Sequence, residues 1–150
     1  MQPRLNIDQV SRPAYQAMLG LEKYLHESSL PPALLHMLKL RASQLNGCAY
    51  CIDMHWKDAR KAGESDQRLY GLDAWRESPY YSDRERAALE FVESLTDIQD
   101  GHVPDDVYER ARARFGEKEL VDLAMAAVAI NGWNRLAIAF RAEAGKYQPR

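Results

Sequence analysis

Apolar residues in this chain recur at three- and four-residue spacing between repeated helix start and stop signals. Ser11 followed by Pro13 opens a segment in which Ala14, Met18, Leu21 and Leu25 share a stripe, and the segment stops before "ESSLPP". Pro31 and Pro32 start a second, with Leu34, Leu35, Leu38, Ala42 and Leu45 at helical spacing. It ends at Asn46-Gly47, two residues that tolerate a left-handed C-cap. A third helix begins close to Cys48 and runs to Ala62, where Gly63 closes it; Ala49, Ile52, Trp56 and Ala59 mark its apolar stripe. Ser65 caps a short fourth helix ending near Gly71, and "DAWRESPYY" reads as a loop with aromatic anchors. "SDRE" at 82–85 is a capping box, followed by Ala87, Ala88, Phe91, Val92 and Leu95 as a buried face. Pro104 with Asp105 and Asp106 starts another helix, stopped by Gly116, and a long helix runs from about Glu117 to near Gly145. No segment alternates as a strand does. The expected fold is all-α, about six to seven helices in one domain over 1–150.

Within the last helix "LAMAAVAING" is rich in small side chains, which lets a neighbouring backbone approach closely and suits a central or interface helix. The chain's 150 residues, 46% of them hydrophobic, suffice for one core. A net charge of -2 gives no basic footprint for phosphate binding, so nucleic acid is excluded as an expected partner. "MQPRLNIDQV" has no apolar signal region, and no stretch approaches roughly 18 uninterrupted apolar residues. The expectation is a soluble, cytoplasmic protein with no membrane partner. In a reducing compartment a lone cysteine pair points to redox or metal chemistry more than to a permanent staple.

That pair lies in "NGCAYCIDMH", positions 46–55. On a helix Cys48, Cys51 and His55 share one side, about 100 degrees round from the Ile52 stripe. Unpaired N–H groups and the positive end of the dipole in the first turn favour thiolate over thiol, and His55 can take the proton. A thiolate attacks a peroxide oxygen, and a cysteine three residues away can reach the resulting sulfenic acid and close a disulfide. A zinc cage is the rival reading, since Cys48, Cys51 and His55 with His36 on the preceding helix make a Cys2His2 set. Structural zinc sites, however, space their ligand pairs by a dozen residues or more on separate elements. Two buried hydrophobes that happen to be cysteines is the plain alternative.

The stretch "LLHMLKLRASQLNGCAYCIDMHWKDARKAGES", positions 34–65, resembles the helical hairpin of the AhpD-type alkylhydroperoxidases, within the carboxymuconolactone decarboxylase superfamily. "NGWNRLAIAFR" is similar to the last helix of its smaller members. The family pattern is a glutamate, eleven intervening residues, then Cys-x-x-Cys-x-x-x-His. The resemblance makes Cys51 the peroxidatic cysteine, Cys48 the resolving cysteine and His55 a proton-relay histidine. The glutamate position is His36, and the histidine that precedes the peroxidatic cysteine in the founding type is Tyr50. An imidazole both donates and accepts hydrogen bonds, so His36 can stand in the relay; the alternative is a histidine that only fills an interior gap. In a hairpin turning at Asn46-Gly47, His36 and His55 differ in height by roughly 3 Å, which makes them neighbours. Without the carboxylate the relay loses a fixed anion that would hold His55 in one tautomer, so peroxidase activity is expected to be weak. The resemblance further implies a helical protomer that assembles into trimers or hexamers with the reactive pair near a subunit interface. It also implies recycling by a dithiol partner such as a dihydrolipoyl carrier, with no haem or flavin as cofactor.

Asp53 and Asp58 lie on the same helix, and only Asp58, three residues after His55, shares its side; both read as solvated charges. His26 and His102 sit at element ends facing water, Trp56 reads as core, and Tyr50 either hydrogen-bonds near the thiols or lines an interface. The expected function is a thiol-dependent peroxidase. Its alternatives are a lactone decarboxylase, whose branch lacks the Cys-x-x-Cys pair, and a redox-sensing or zinc-holding module without turnover.

Overall fold

The turn at Gly47 organises the molecule. Its backbone sits at φ 68°, the left-handed region that glycine enters without a Cβ penalty, and the chain reverses there between two long helices. The computed structural model describes residues 2–149. Among them the order is α1 (Ile7–Val10), α2 (Arg12–His26), α3 (Pro32–Asn46), α4 (Ala49–Lys61), α5 (Asp66–Tyr70), a 3-10 turn (Leu72–Ala74), α6 (Asp83–Thr96), α7 (Asp105–Arg112) and α8 (Glu117–Phe140), with no strand among the described residues. The all-α expectation holds. The first short helix went unread in the sequence; it forms because the Asn6 side chain accepts hydrogen bonds from the N–H groups of Asp8 and Gln9.

Helix α3 is the central element, packed against α4, α6 and α8. Every face of it is covered: Leu34, Leu35, Met37, Leu38, Leu40 and Ala42 are buried, and so are Lys39, Arg41 and Ser43. Each fully buried leucine contributes roughly 1.5–3 kcal/mol. The polar three are partnered. Arg41 donates to Glu93 on α6 at 2.5 Å and pairs with Asp73, while the Trp75 indole N–H donates to the same Glu93 at 2.8 Å. Burial alone would raise the Glu93 pKa, but donors from Trp75, Arg41 and Arg76 outweigh it and hold the carboxyl below its ordinary range.

At its C-terminal end α3 is pinned to α8. The Asn46 side-chain amide donates to the side-chain oxygens of Asn131 (2.9 Å) and Asn134 (2.8 Å), and Asn134 donates to Ser43 Oγ at 3.0 Å. The small side chains of α8 permit that approach. Gly132 permits another, because a Cβ there would lie 2.9 Å from the Met18 methyl of α2.

Two sequence expectations need correction. Helix α8 ends at Phe140 rather than near Gly145, because Arg141 turns into the left-handed region at φ 56°. The following residues fold back over α4, with the Gly145 N–H donating to Asp53 and the Tyr147 hydroxyl donating to Asp58 at 2.8 Å. The 3-10 turn Leu72–Ala74 takes in the first two residues of "DAWRESPYY"; the rest is the expected loop, with Trp75 and Tyr81 as its buried aromatic anchors. The buried face of α4 carries Cys51, His55 and Ala59, whereas Ala49 and Trp56 are exposed and Ile52 is half-buried. Helix α8 is long and apolar enough by length and composition to cross a membrane, yet it buries Asp122 and Asn134 against Tyr24 of α2 and Ser43 of α3.

Candidate active site

The hairpin delivers the cysteines to the start of α4. Cys48 is the N-cap, in extended conformation, and its sulfur accepts the Cys51 N–H at 3.4 Å, the place an N-cap oxygen usually takes. Cys48 and Cys51 are joined as a disulfide, with Cα atoms 5.4 Å apart, and both are buried. The first turn therefore aims a backbone donor at sulfur, as expected. The pair is more enclosed than an exposed first turn would suggest.

One turn on, His55 is 3% exposed. Its ring centroid lies 5.8 Å from that of His36 on α3, the pairing expected from the hairpin's geometry. Neither ring nitrogen of His55 has a hydrogen-bond partner, and neither has His36 Nδ1. Burial lowers the His55 pKa well below its ordinary value, and the nearby Lys39 ammonium and His36 push it further the same way. Burial also lowers His36, with Asp58 and Glu22 opposing and Lys39 assisting. Both imidazoles are neutral at pH 7.

Around them sit three charged groups that sequence reasoning missed or misplaced. Lys39, 4% exposed, pairs with Glu22 of α2, whose other oxygen accepts the Trp133 indole N–H at 3.0 Å. Asp58 is half-buried rather than freely solvated, and it offers a carboxylate oxygen within 4.8 Å of ligand nitrogens of both histidines. Its position three residues after His55 was the available signal. Lys39 and Glu22 gave none, since their pairing spans two helices. A cavity of about 80 Å3 between α2 and α3 reaches His36 and Lys39. The larger groove, about 510 Å3, lies between the 3-10 segment, α6 and α7; its Arg86 and Arg110 are bound to backbone carbonyls and to Glu90, and it contains none of these residues.

Asp53 binds Lys57 at 2.9 Å and the tail, away from the histidines. His26 and His102 are exposed, as expected. Trp56 is 38% exposed and not core. Tyr50 is half-buried against the core, its hydroxyl pKa raised first by burial.

Residues 12–94, which include α3, the cysteines and both histidines, match the model of the carboxymuconolactone decarboxylase family. The chain belongs to that family. It is 44% identical over 139 residues to the uncharacterised protein YdfG of Bacillus subtilis, covering 93% of this chain and 95% of that one. A protein of unknown function from Agrobacterium tumefaciens, advanced as an antioxidant-defence protein of AhpD type, shares its structure at a TM-score of 0.94. That match has 42% identity and covers 97% of this chain and all of the other. The AhpD core of a peroxidase-related protein from Ralstonia eutropha superposes at a TM-score of 0.82 over 93% of this chain and 74% of its own; at 18% identity it speaks for the fold alone. The AhpD-like helical fold is thereby shown, and within this family a cysteine pair at disulfide distance beside histidine is consistent with a redox role.

Proposed function

We propose that the protein is a thiol-dependent peroxidase. The observation that carries this reading is the Cys48–Cys51 disulfide closed at the head of α4, one turn before a buried neutral imidazole. In the reduced protein His55 takes the Cys51 thiol proton. The thiolate attacks a hydroperoxide oxygen, the O–O bond breaks, and the departing alkoxide receives a proton as alcohol, leaving Cys51 as sulfenic acid. Cys48, whose sulfur accepts the Cys51 N–H, attacks the sulfenic sulfur as thiolate; hydroxide leaves as water and the disulfide forms. One hydroperoxide thus becomes alcohol and water while two thiols lose two electrons. An external dithiol, of dihydrolipoyl type, returns those electrons. His36, next to the small cavity, passes protons between His55 and the outside.

The same reading includes a cytosolic setting and self-association into trimers or hexamers, supported by exposed Val121 and Val128 on α8. The test is consumption of an organic hydroperoxide with excess dithiol by wild type and by Cys51→Ser. Turnover in wild type that disappears in the variant supports the proposal, and equal consumption by both refutes it.

A further inference from the structure

His55 is costly as a structural residue, because both ring nitrogens are sealed from water with nothing to bond to, and His36 Nδ1 shares that condition. Proton transfer would occupy them only transiently. A third donor converges on the same point: Asp58, on the same face of α4 as His55, lies within 4.8 Å of both imidazoles, one atom from each residue. We infer that His36, His55 and Asp58 form a binding site for a divalent transition-metal ion of the zinc class.

The donors fit that class. Two neutral imidazole nitrogens and one carboxylate oxygen are borderline ligands that select zinc, cobalt, nickel or copper over magnesium and calcium, which want oxygen shells. Both histidines are kept neutral by burial, so binding need not displace a proton from either. A tetrahedral ion with bonds near 2.1 Å spaces its ligands about 3.4 Å apart, so the three side chains close inward by about an ångström. Asp58 is steadied for this by the Tyr147 hydroxyl at 2.8 Å, which leaves its second oxygen for the ion. The opposing charge is the Lys39 ammonium, and Glu22 is paired to it; Asp58, Glu22 and Lys39 together carry one net negative charge. Three ligands leave a fourth position open. The cysteines take no part, being joined to each other. Filling the site removes both imidazoles from proton transfer, so bound zinc inhibits turnover; that consequence alone rests on the peroxidase reading.

The test uses the full chain in its disulfide form, stripped with chelator and titrated with Co2+ while visible absorption is recorded. The expected result is saturation at one equivalent, with the bands of four- or five-coordinate cobalt displaced by Zn2+ and untouched by excess Mg2+. His36→Gln and Asp58→Asn should each weaken binding by more than the roughly 10–100-fold that loss of a supporting partner costs, and Tyr147→Phe by about 10-fold. Circular dichroism checks that each variant is folded; His36, Asp58 and Tyr147 are all only half-buried. A Cys48→Ser, Cys51→Ser double variant should bind as wild type does. No saturable signal, binding indifferent to His36→Gln and Asp58→Asn, or binding that requires free thiols would each overturn the inference. The titration involves no peroxide, so an inactive wild type would sink the peroxidase reading and leave this result standing.

Discussion

Replacing His55 by leucine should make the protein more stable and catalytically dead. The imidazole is 3% exposed and neither nitrogen has a partner. A buried polar group without a hydrogen bond costs about 1–3 kcal/mol, and leucine has a similar volume and no such penalty. His55→Leu should therefore gain about 1–3 kcal/mol in urea unfolding at pH 7.5 with chelator present, or roughly 2–10 °C in Tm for a chain of this length. The pH dependence adds a signed check. The folded-state pKa of His55 lies well below its unfolded value, so the unfolded chain binds more protons as pH falls through about 6.5, and wild-type stability declines there. Because burial holds the folded His55 pKa well below its ordinary value, the His55 share between pH 7.5 and 5.5 is on the order of 1 kcal/mol. The variant lacks this share, so its advantage over wild type should widen by about that amount on acidification. His36, also lowered, continues to contribute to both proteins. Refutation is a variant less stable than wild type by more than about 1 kcal/mol, or one whose stability falls with acid as steeply as wild type's, since either would mean His55 is held by favourable bonds.

Two further outcomes follow from the scaffold. Gly47→Ala should lose about 1–2 kcal/mol from left-handed strain, with nothing within 4 Å for the new methyl to strike, and equilibrium denaturation should show it without loss of peroxide turnover. Arg41→Leu leaves Glu93 buried with Trp75 and Arg76 still donating, so the loss should sit near about 3 kcal/mol, the low end for breaking a buried pair. Replacing Glu93 by leucine as well should recover part of that in a double-mutant cycle.

What could be read in the sequence was what local chemistry decides. The stop at Asn46-Gly47 follows from glycine's left-handed freedom, and the reciprocal Ser82–Glu85 cap follows from two residue types at fixed spacing. The same holds for a cysteine pair at the head of α4. The face of α4 was misread because hydrophobicity ranked Ile52 and Trp56 above His55, while the fold buries the histidine and exposes the tryptophan. Tertiary packing chose between two overlapping stripes that a helical period cannot rank. The end of α8 was invisible because Arg141, not a glycine, makes the left-handed turn, and the tail's bonds to Asp53 and Asp58 span most of the chain. Likewise Lys39 with Glu22, and Arg41 with Glu93, are long-range pairs whose members read alone as ordinary surface charge.

In the proposed cycle one sulfur at the start of α4 is oxidised and its neighbour captures the product. Thiol titration of the reduced protein before and after one equivalent of organic hydroperoxide, with the product mapped by mass spectrometry, addresses it directly. Loss of both thiols together and a single Cys48–Cys51 linkage are the expected result. Two thiols still titratable after the peroxide is added, or one lost without a linkage to the other, would contradict it.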